Sequence, residues 1–309
     1  MTTRRTFLKT SGAVAAASLL LSKNAFAAGA PRAVLPPPGI QLFTFFNTID
    51  ADVAGTLKKI AAIGYKEIES AFSKKGGYYG MKPKAFAQQV RDLGMSWKSH
   101  HVLGAQFKMP ANTKPILDAD GKPLTIPLMR NLKENMQQLV DEAAEGGVDY
   151  LVCANTPIET LDAVHSSIAV LNQTGEACKK AGIGFAYHNH DAEFRAVEGK
   201  VPYDLFLSDT DAALVKMELD IAWATKGGAD PVVLFTQHPG RFPLWHLKDL
   251  DATQETILPL GAGTINYSRI FQNSAAAGLQ HIFIEHDMPA DPFASITASM
   301  VYLKRLRQA

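Results

Sequence analysis

The chain of 309 residues carries 31 basic and 30 acidic side chains, nine histidines and two cysteines. Charges this balanced leave no electrostatic footprint for a phosphate backbone, which excludes nucleic acid as an expected partner. Cys153, in an apolar strand-like run, and Cys178, in a helical one, are too few for a disulfide framework and read as small buried hydrophobes.

The N-terminal stretch MTTRRTFLKTSGAVAAASLLLSKNAFAAGA runs from positive charge through an apolar segment to small residues, the composition of a targeting segment rather than of a fold. Arg4 and Arg5, in T-R-R-T-F-L-K, resemble a twin-arginine export signal, and the apolar segment 12–21 is too short to span a bilayer. Ala25-Phe26-Ala27 offers a small-x-small cleavage site. Residues 1–27 are therefore expected to be a signal, with the Tat export machinery as its partner and the periplasm as its destination. They hold four bases (Arg4, Arg5, Lys9 and Lys23) and no acid, so the mature chain has 27 basic against 30 acidic residues and a net charge of −3. No second apolar run is long enough for a stable membrane anchor.

A Pro-rich link, 28–38, ends in Pro36-Pro37-Pro38, and from 39 to 309 short β-compatible runs alternate with longer stretches of helical period. Strands are expected over 39–45, 65–70, 96–102, 150–154, 184–190, 214–220, 243–248 and 281–286. Helices are expected over 52–63, 83–93, 127–144, 159–181, 203–208, 231–237, 267–277 and 291–306. Several helix candidates stop at a glycine, as at Ile63-Gly64 and Ala181-Gly182, and Pro83, Pro127 and Pro231 stand near helix starts. Eight such units predict an α/β fold, a (β/α)8 TIM barrel in a single domain, since barrels of about 250 residues routinely form one domain. A doubly wound open sheet shares the alternation but gives no reason for eight units or for polar residues at nearly every strand end. The stretch 103–125, rich in Pro, Asp and Gly, reads as a long loop over the barrel mouth where a lid would sit.

His, Asp and Glu pile up at the ends of the late strands, in Y-H-N-H-D, E-L-D-I-A-W, W-H-L-K-D and I-E-H-D. A barrel directs those ends to one mouth. Alternate strand residues share a face, which pairs His188 with His190, Glu218 with Asp220, and His246 with Lys248. Strands five to eight can thus each point one ligand inward.

From Gly39 onward the chain resembles the xylose-isomerase-like sugar isomerase and epimerase family. The resemblance rests on G-I-Q-L-F-T-F, Y-K-E-I-E, Y-H-N-H-D-A-E-F, E-L-D-I-A-W-A-T-K-G-G-A-D-P, H-L-K-D, L-G-A-G-T-I-N-Y and F-I-E-H-D. It implies one divalent metal ion held by Glu, Asp, His and Glu from strands five to eight. The last three fall on Asp220, His246 and Glu285, while His188 stands where the fifth-strand Glu would be. That departure leaves Glu285 as the one carboxylate base of the family's pair, with His188 or His190 to take the other role. A shell of imidazole and carboxylate suits Mn2+ first, with Zn2+, Co2+ or Fe2+ as alternatives, better than Ca2+. The implied chemistry is proton abstraction next to a carbonyl, with the metal stabilising an enediolate.

The remaining candidates are read from position. Glu69 ends the second strand, His101 ends the third ahead of the long loop, and Trp223 follows Asp220 by three, so each is a candidate substrate contact, Trp223 by stacking on a sugar ring. Lys248 is a candidate for electrostatic help, Asp191 and Glu193 for orienting a ligand histidine, and Asp249 for a loop. His100, His165, His238 and His281 are read as structural. Gly227-Gly228 and Gly261-Ala262-Gly263 read as turns, not as a dinucleotide cradle, and no Ser or Cys nucleophile with a triad stands out.

The leading expectation is a metal-dependent isomerase or epimerase of a small-molecule carbohydrate, a sugar or keto-sugar that export makes unphosphorylated. The alternatives are a 3-keto-glycoside lyase or hydratase working by β-elimination, and a non-catalytic periplasmic sugar-binding protein. A DNA-repair nuclease of the same superfamily would need a zinc cluster and a basic surface, which the sequence lacks. The sequence identifies no interface and leaves homo-oligomerisation open.

Overall fold

Strands form where the short β-compatible runs lie, and a computed structural model describes them within residues 35–106 and 129–308. The signal, its cleavage site, most of the Pro-rich link and most of the expected lid lie outside the described residues. The strands are β1 Pro38–Gln41, β2 Glu67–Ser70, β3 Ser96–Leu103, β4 Tyr150–Asn155, β5 Gly184–His188, β6 Val215–Asp220, β7 Leu244–Leu247, β8 Asp249–Leu250, β9 Ile257–Leu258 and β10 His281–Ile284. Eight of them close a parallel barrel in the order β1-β10-β7-β6-β5-β4-β3-β2, while β8 and β9 make a separate antiparallel ribbon. The expected (β/α)8 architecture is therefore the observed one.

Helices follow the local signals. Asp52 accepts the backbone N–H of Gly55 at 2.8 Å to start Val53–Ile63, and Gly64, at φ 115°, ends it in a conformation closed to other residues. Thr160 caps Leu161–Ala181, which Gly182 ends at φ 79°. Some elements depart from expectation. The first strand stops at Gln41, whose side chain accepts the N–H of Phe43 and turns the chain into a 3-10 segment, Leu42–Phe45. The helix expected from 127 begins instead at Leu132, capped by Asn131, and the helix expected over 267–277 is two, Tyr267–Phe271 and Ser274–Ala277. A short helix not expected, Ile221–Lys226, is capped by Asp220 through the N–H of Trp223.

The main core packs between barrel and helices, with Trp245, Phe235, Phe185 and Phe206 fully buried. A second small cluster, Val152, Ala186, Leu244 and Phe283, is the inward face of β4, β5, β7 and β10 and plugs the barrel, with Tyr150 against it. The polar residues at the strand C-terminal ends sit on that apolar floor.

At the opposite, N-terminal end an ion network ties strand starts together. His281 Nδ1 lies 2.8 Å from Glu67 and its Nε2 3.4 Å from Asp149, which also pairs with Lys98 at 2.8 Å. Burial lowers the imidazolium of His281, but Asp149 and Glu67 outweigh it and raise the pKa to about 9. A group raised in the folded state stabilises fully below its unfolded value, about 6.5, and loses that stabilisation as pH rises through about 9. In urea unfolding, His281→Gln should cost roughly 2–3 kcal/mol at pH 6 and much less at pH 10. An equal cost at both pH values would show that the charge of His281 contributes nothing.

Candidate functional site

Period-two alternation sets which side chains stand above the plug, and strand register sets which of them meet. Glu218 and Asp220 share one face of β6, and His246 and Lys248 share one face of β7 and the residue after it. Register places His188 beside Glu218, Asp220 beside His246, and Gln41 beside Glu69. The result centres on His246, which is fully buried.

The two nitrogens of His246 face two different groups. On the outer side Nδ1 lies 3.0 Å from Glu285 Oε2 and 3.8 Å from Asp220 Oδ2. On the inner side Nε2 lies 2.5 Å from Glu69 Oε1 and 3.2 Å from Glu218 Oε2. His101 Nε2 joins the inner side, 2.7 Å from Glu218 and 3.1 Å from Glu69, with its ring stacked on His246 at 5.3 Å. His188 Nδ1 also approaches Glu218, at 3.1 Å.

Lys248 occupies the outer side. Its ammonium lies 2.9 Å from Asp220 Oδ2, 2.5 Å from Glu285 Oε2 and 2.7 Å from Asp287 Oδ2. The hydroxyl of Tyr267 donates to the Lys248 carbonyl and holds the backbone in place.

The charge states follow from this packing. Burial disfavours the His246 imidazolium, yet Glu218, Glu285 and Glu69 together raise its pKa well above the ordinary value. His101 is lowered by burial but raised more by Glu69 and Glu218, to about 9. His188 is held neutral by burial and by the neighbouring His246 and His101. Burial opposes ionisation of Glu285, but Lys248 and His246 hold it well below the usual carboxylate range. Asp220 is pushed up by burial despite Lys248. Lys248 stays charged, because Asp220, Asp287 and Glu285 outweigh its burial.

Of the expected metal ligands, Asp220, His246 and Glu285 converge, whereas His188 is grouped with His101, Glu218 and His246. Lys248 is brought to the site as expected. His190 lies just past the end of β5, half-buried, its ring 5.0 Å from His188 and 5.9 Å from Trp223. Trp223 sits near two ammonium groups, Lys248 and Lys226, at 5.3 and 5.4 Å from the ring centre. Its buried indole N–H has no hydrogen-bond partner among the described residues.

Several readings are corrected. Glu69, expected as a substrate contact, is fully buried against His101 and His246 and accepts Gln41 Nε2 at 2.7 Å and Ser99 Oγ at 2.5 Å. Asp249 is not a loop residue but a buried strand residue, accepting the N–H groups of Leu250, Gly261 and Ile265. Glu193 orients no imidazole; it accepts the Tyr187 hydroxyl and the backbone N–H of His190. Asp191 pairs with Arg195. Gln41, Ser99 and Asp287 were not singled out by sequence, and Glu218 was noted only as sharing a strand face with Asp220. Asp287 follows the candidate Glu285 by two residues, in a bend past the end of β10.

The donor set fits a divalent cation. Among the described residues Glu218 Oε1 and Asp220 Oδ2 are buried carboxylate oxygens with no hydrogen bond, the latter in an ion pair with Lys248 at 2.9 Å. Leaving such oxygens unpaired is costly, and a cation held by imidazole and carboxylate donors relieves it.

A family model for the xylose isomerase-like TIM barrel matches residues 57–306, and one for the twin-arginine translocation pathway signal sequence matches residues 1–20. The signal indicates export from the cytoplasm, and no helix among the described residues is long and apolar enough to cross a membrane. No curated protein matches the chain. Among solved structures, a sugar phosphate isomerase/epimerase from Parabacteroides distasonis ATCC 8503 is 27% identical, with a TM-score of 0.69 over 91% of this chain and 97% of that one. An L-ribulose 3-epimerase is 16% identical, with a TM-score of 0.63 over 89% and 95% of the two chains. A D-psicose 3-epimerase is 12% identical, with a TM-score of 0.62 over 88% and 100%. The last two, at such identities, speak for the fold alone.

Lys248→Met should remove the one ammonium among three carboxylates and cost about 3–5 kcal/mol in chemical unfolding. Unchanged stability would mean that these carboxylates are neutralised by something other than Lys248.

Proposed function

Because the chain belongs to the xylose isomerase-like TIM barrel family, we propose that it is an exported, divalent-metal-dependent enzyme that removes a proton next to the carbonyl of a sugar or keto-sugar, with isomerisation or epimerisation as the outcome. Similarity to a 27% identical sugar phosphate isomerase/epimerase supports the class of reaction. The observation that carries the reading is the convergence of buried Asp220, His246, Lys248 and Glu285 at the C-terminal mouth of the barrel. Export favours an unphosphorylated substrate and a periplasmic site of action, with cleavage after Ala27.

Asp220, His246 and Glu285 would hold the ion, Mn2+ in the first instance, which would supply Lewis acidity to a substrate oxygen when bound. The chain's own residues do the rest. Glu285, kept ionised by Lys248 and His246, is in the form that accepts a proton. His188, kept neutral, is likewise a base, and His190 stands beside it on the side of Trp223. One of these, His188 or His190, takes the place of the family's second carboxylate. Lys248 presents a permanent ammonium that donates to an oxygen on which negative charge develops. The indole N–H of Trp223, without a hydrogen-bond partner among the described residues, donates to a sugar hydroxyl.

A second reading has one specific observation in its favour. With His188 in place of a carboxylate and Lys248 beside Glu285, the site pairs one carboxylate base with a nearby acid, which suits β-elimination from a 3-keto-glycoside. Metal-loaded protein incubated in D2O with free sugars, keto-sugars and 3-keto-glycosides, followed by NMR beside an EDTA-treated control, separates the readings. Metal-dependent deuterium uptake with a new isomer supports the isomerase or epimerase. Release of an aglycone or an unsaturated keto-sugar moves the assignment to the lyase, and no exchange with any substrate favours a binding protein.

A further inference from the structure

Asp220 stands in register with His246 on the β7 side, but on the β5 side the ladder ends two residues before it. The last pairing there is His188 with Glu218, and β5 itself stops at His188. A buried backbone N–H and C=O left at such an end need partners from elsewhere.

The side chain of Asn189 supplies them. Its Oδ1 accepts the backbone N–H of Asp220 at 3.0 Å, and its Nδ2 donates to the Asp220 carbonyl at 3.3 Å, so one carboxamide serves both backbone groups of one residue. Asn189 and Asp220 are both fully buried, which leaves water no share in these bonds. A carboxamide is suited to the place because it offers a donor and an acceptor together, whereas an ionised carboxylate offers acceptors alone. The Asp220 side chain is fixed in turn: Oδ1 accepts the N–H of Trp223 at 2.8 Å at the start of the helix Ile221–Lys226. With the backbone held by Asn189 and Oδ1 by Trp223, Oδ2 is directed to the side of His246 Nδ1, 3.8 Å away. Asn189 also lies between His188 and His190 in the chain, so the same amide ties the segment carrying both candidates for the second base to a metal ligand on the next strand.

We infer that Asn189 is a positioning residue of the metal site: its carboxamide locks the Asp220 backbone, and through it Oδ2, at a fixed spacing from the histidines on either side of Asn189. The inference rests on the metal dependence proposed above and gives Asn189 no contact with ion or substrate. Hydrogen-bond partners that orient a ligand typically change metal affinity by about 10–100-fold when removed.

Metal affinity and local backbone protection, both read apart from turnover, test it. Co2+ titration of metal-free protein, followed by visible absorption, should show one site in the wild type and an affinity about 10–100-fold lower in Asn189→Ala and Asn189→Asp. Amide hydrogen exchange should become faster at Asp220 in Asn189→Ala, while the amide of Met217, bonded to the Arg241 carbonyl, keeps its protection and shows that the strand is intact. Asn189→Asp is close in shape and keeps an acceptor for the Asp220 N–H, so it carries the affinity measurement if the alanine variant does not fold. Wild-type affinity in a folded variant, whatever its exchange at Asp220, overturns the positioning role and leaves metal dependence standing. Failure of the wild type to bind Co2+ or Mn2+ overturns the metal-dependent reading and this inference together.

Discussion

A fully buried imidazole with carboxylates against both of its nitrogens is the constraint around which the upper half of the barrel is organised. Glu69 and Glu218 approach His246 from one side and Glu285 and Asp220 from the other. Carboxylates taken out of water are tolerable only where positive charge or donors meet them. On the outer side Lys248 meets that need, held between Asp220, Glu285 and Asp287. On the inner side imidazoles do, His101 and His246 being held toward the charged form by the carboxylates against them.

The barrel makes this arrangement affordable by separating its interior along the axis. Val152, Ala186, Leu244 and Phe283 form a dry floor, and above it each strand turns from apolar to charged within one alternation, as from Leu244 to His246 or from Phe283 to Glu285. The low-dielectric floor strengthens every interaction above it, so charges that would be weak in water become strong donors and acceptors at the mouth. The strand starts at the other end use a conventional network, with His281 between Glu67 and Asp149, and take no part in the site.

Much of the site was legible because it depends on local periodicity. That Asp220, His246, Lys248 and Glu285 would gather at one mouth followed from their places at strand ends and from the parallel barrel that eight repeats implied. Glu69 and His101 were read as candidate substrate contacts, and a strand end gives no measure of their depth. Glu69 accepts Gln41 and Ser99, on the strands to either side of its own, and that pairing pulls it below the rim. Asp249 was read as loop because its role is to gather the N–H groups of Gly261 and Ile265, at least twelve residues later.

What the chain determined by itself was the alternation of elements, their caps and stops, and which residues share a strand face, since each depends on neighbours a few positions away. What tertiary structure alone decided was which faces meet: His188 with Glu218, His101 with His246, and Lys248 with Asp220 and Glu285. Those meetings depend on register between strands and on closure of the barrel, where β10 completes the ring between β1 and β7. A shift of one residue in any pairing would turn the same side chains toward the helices instead.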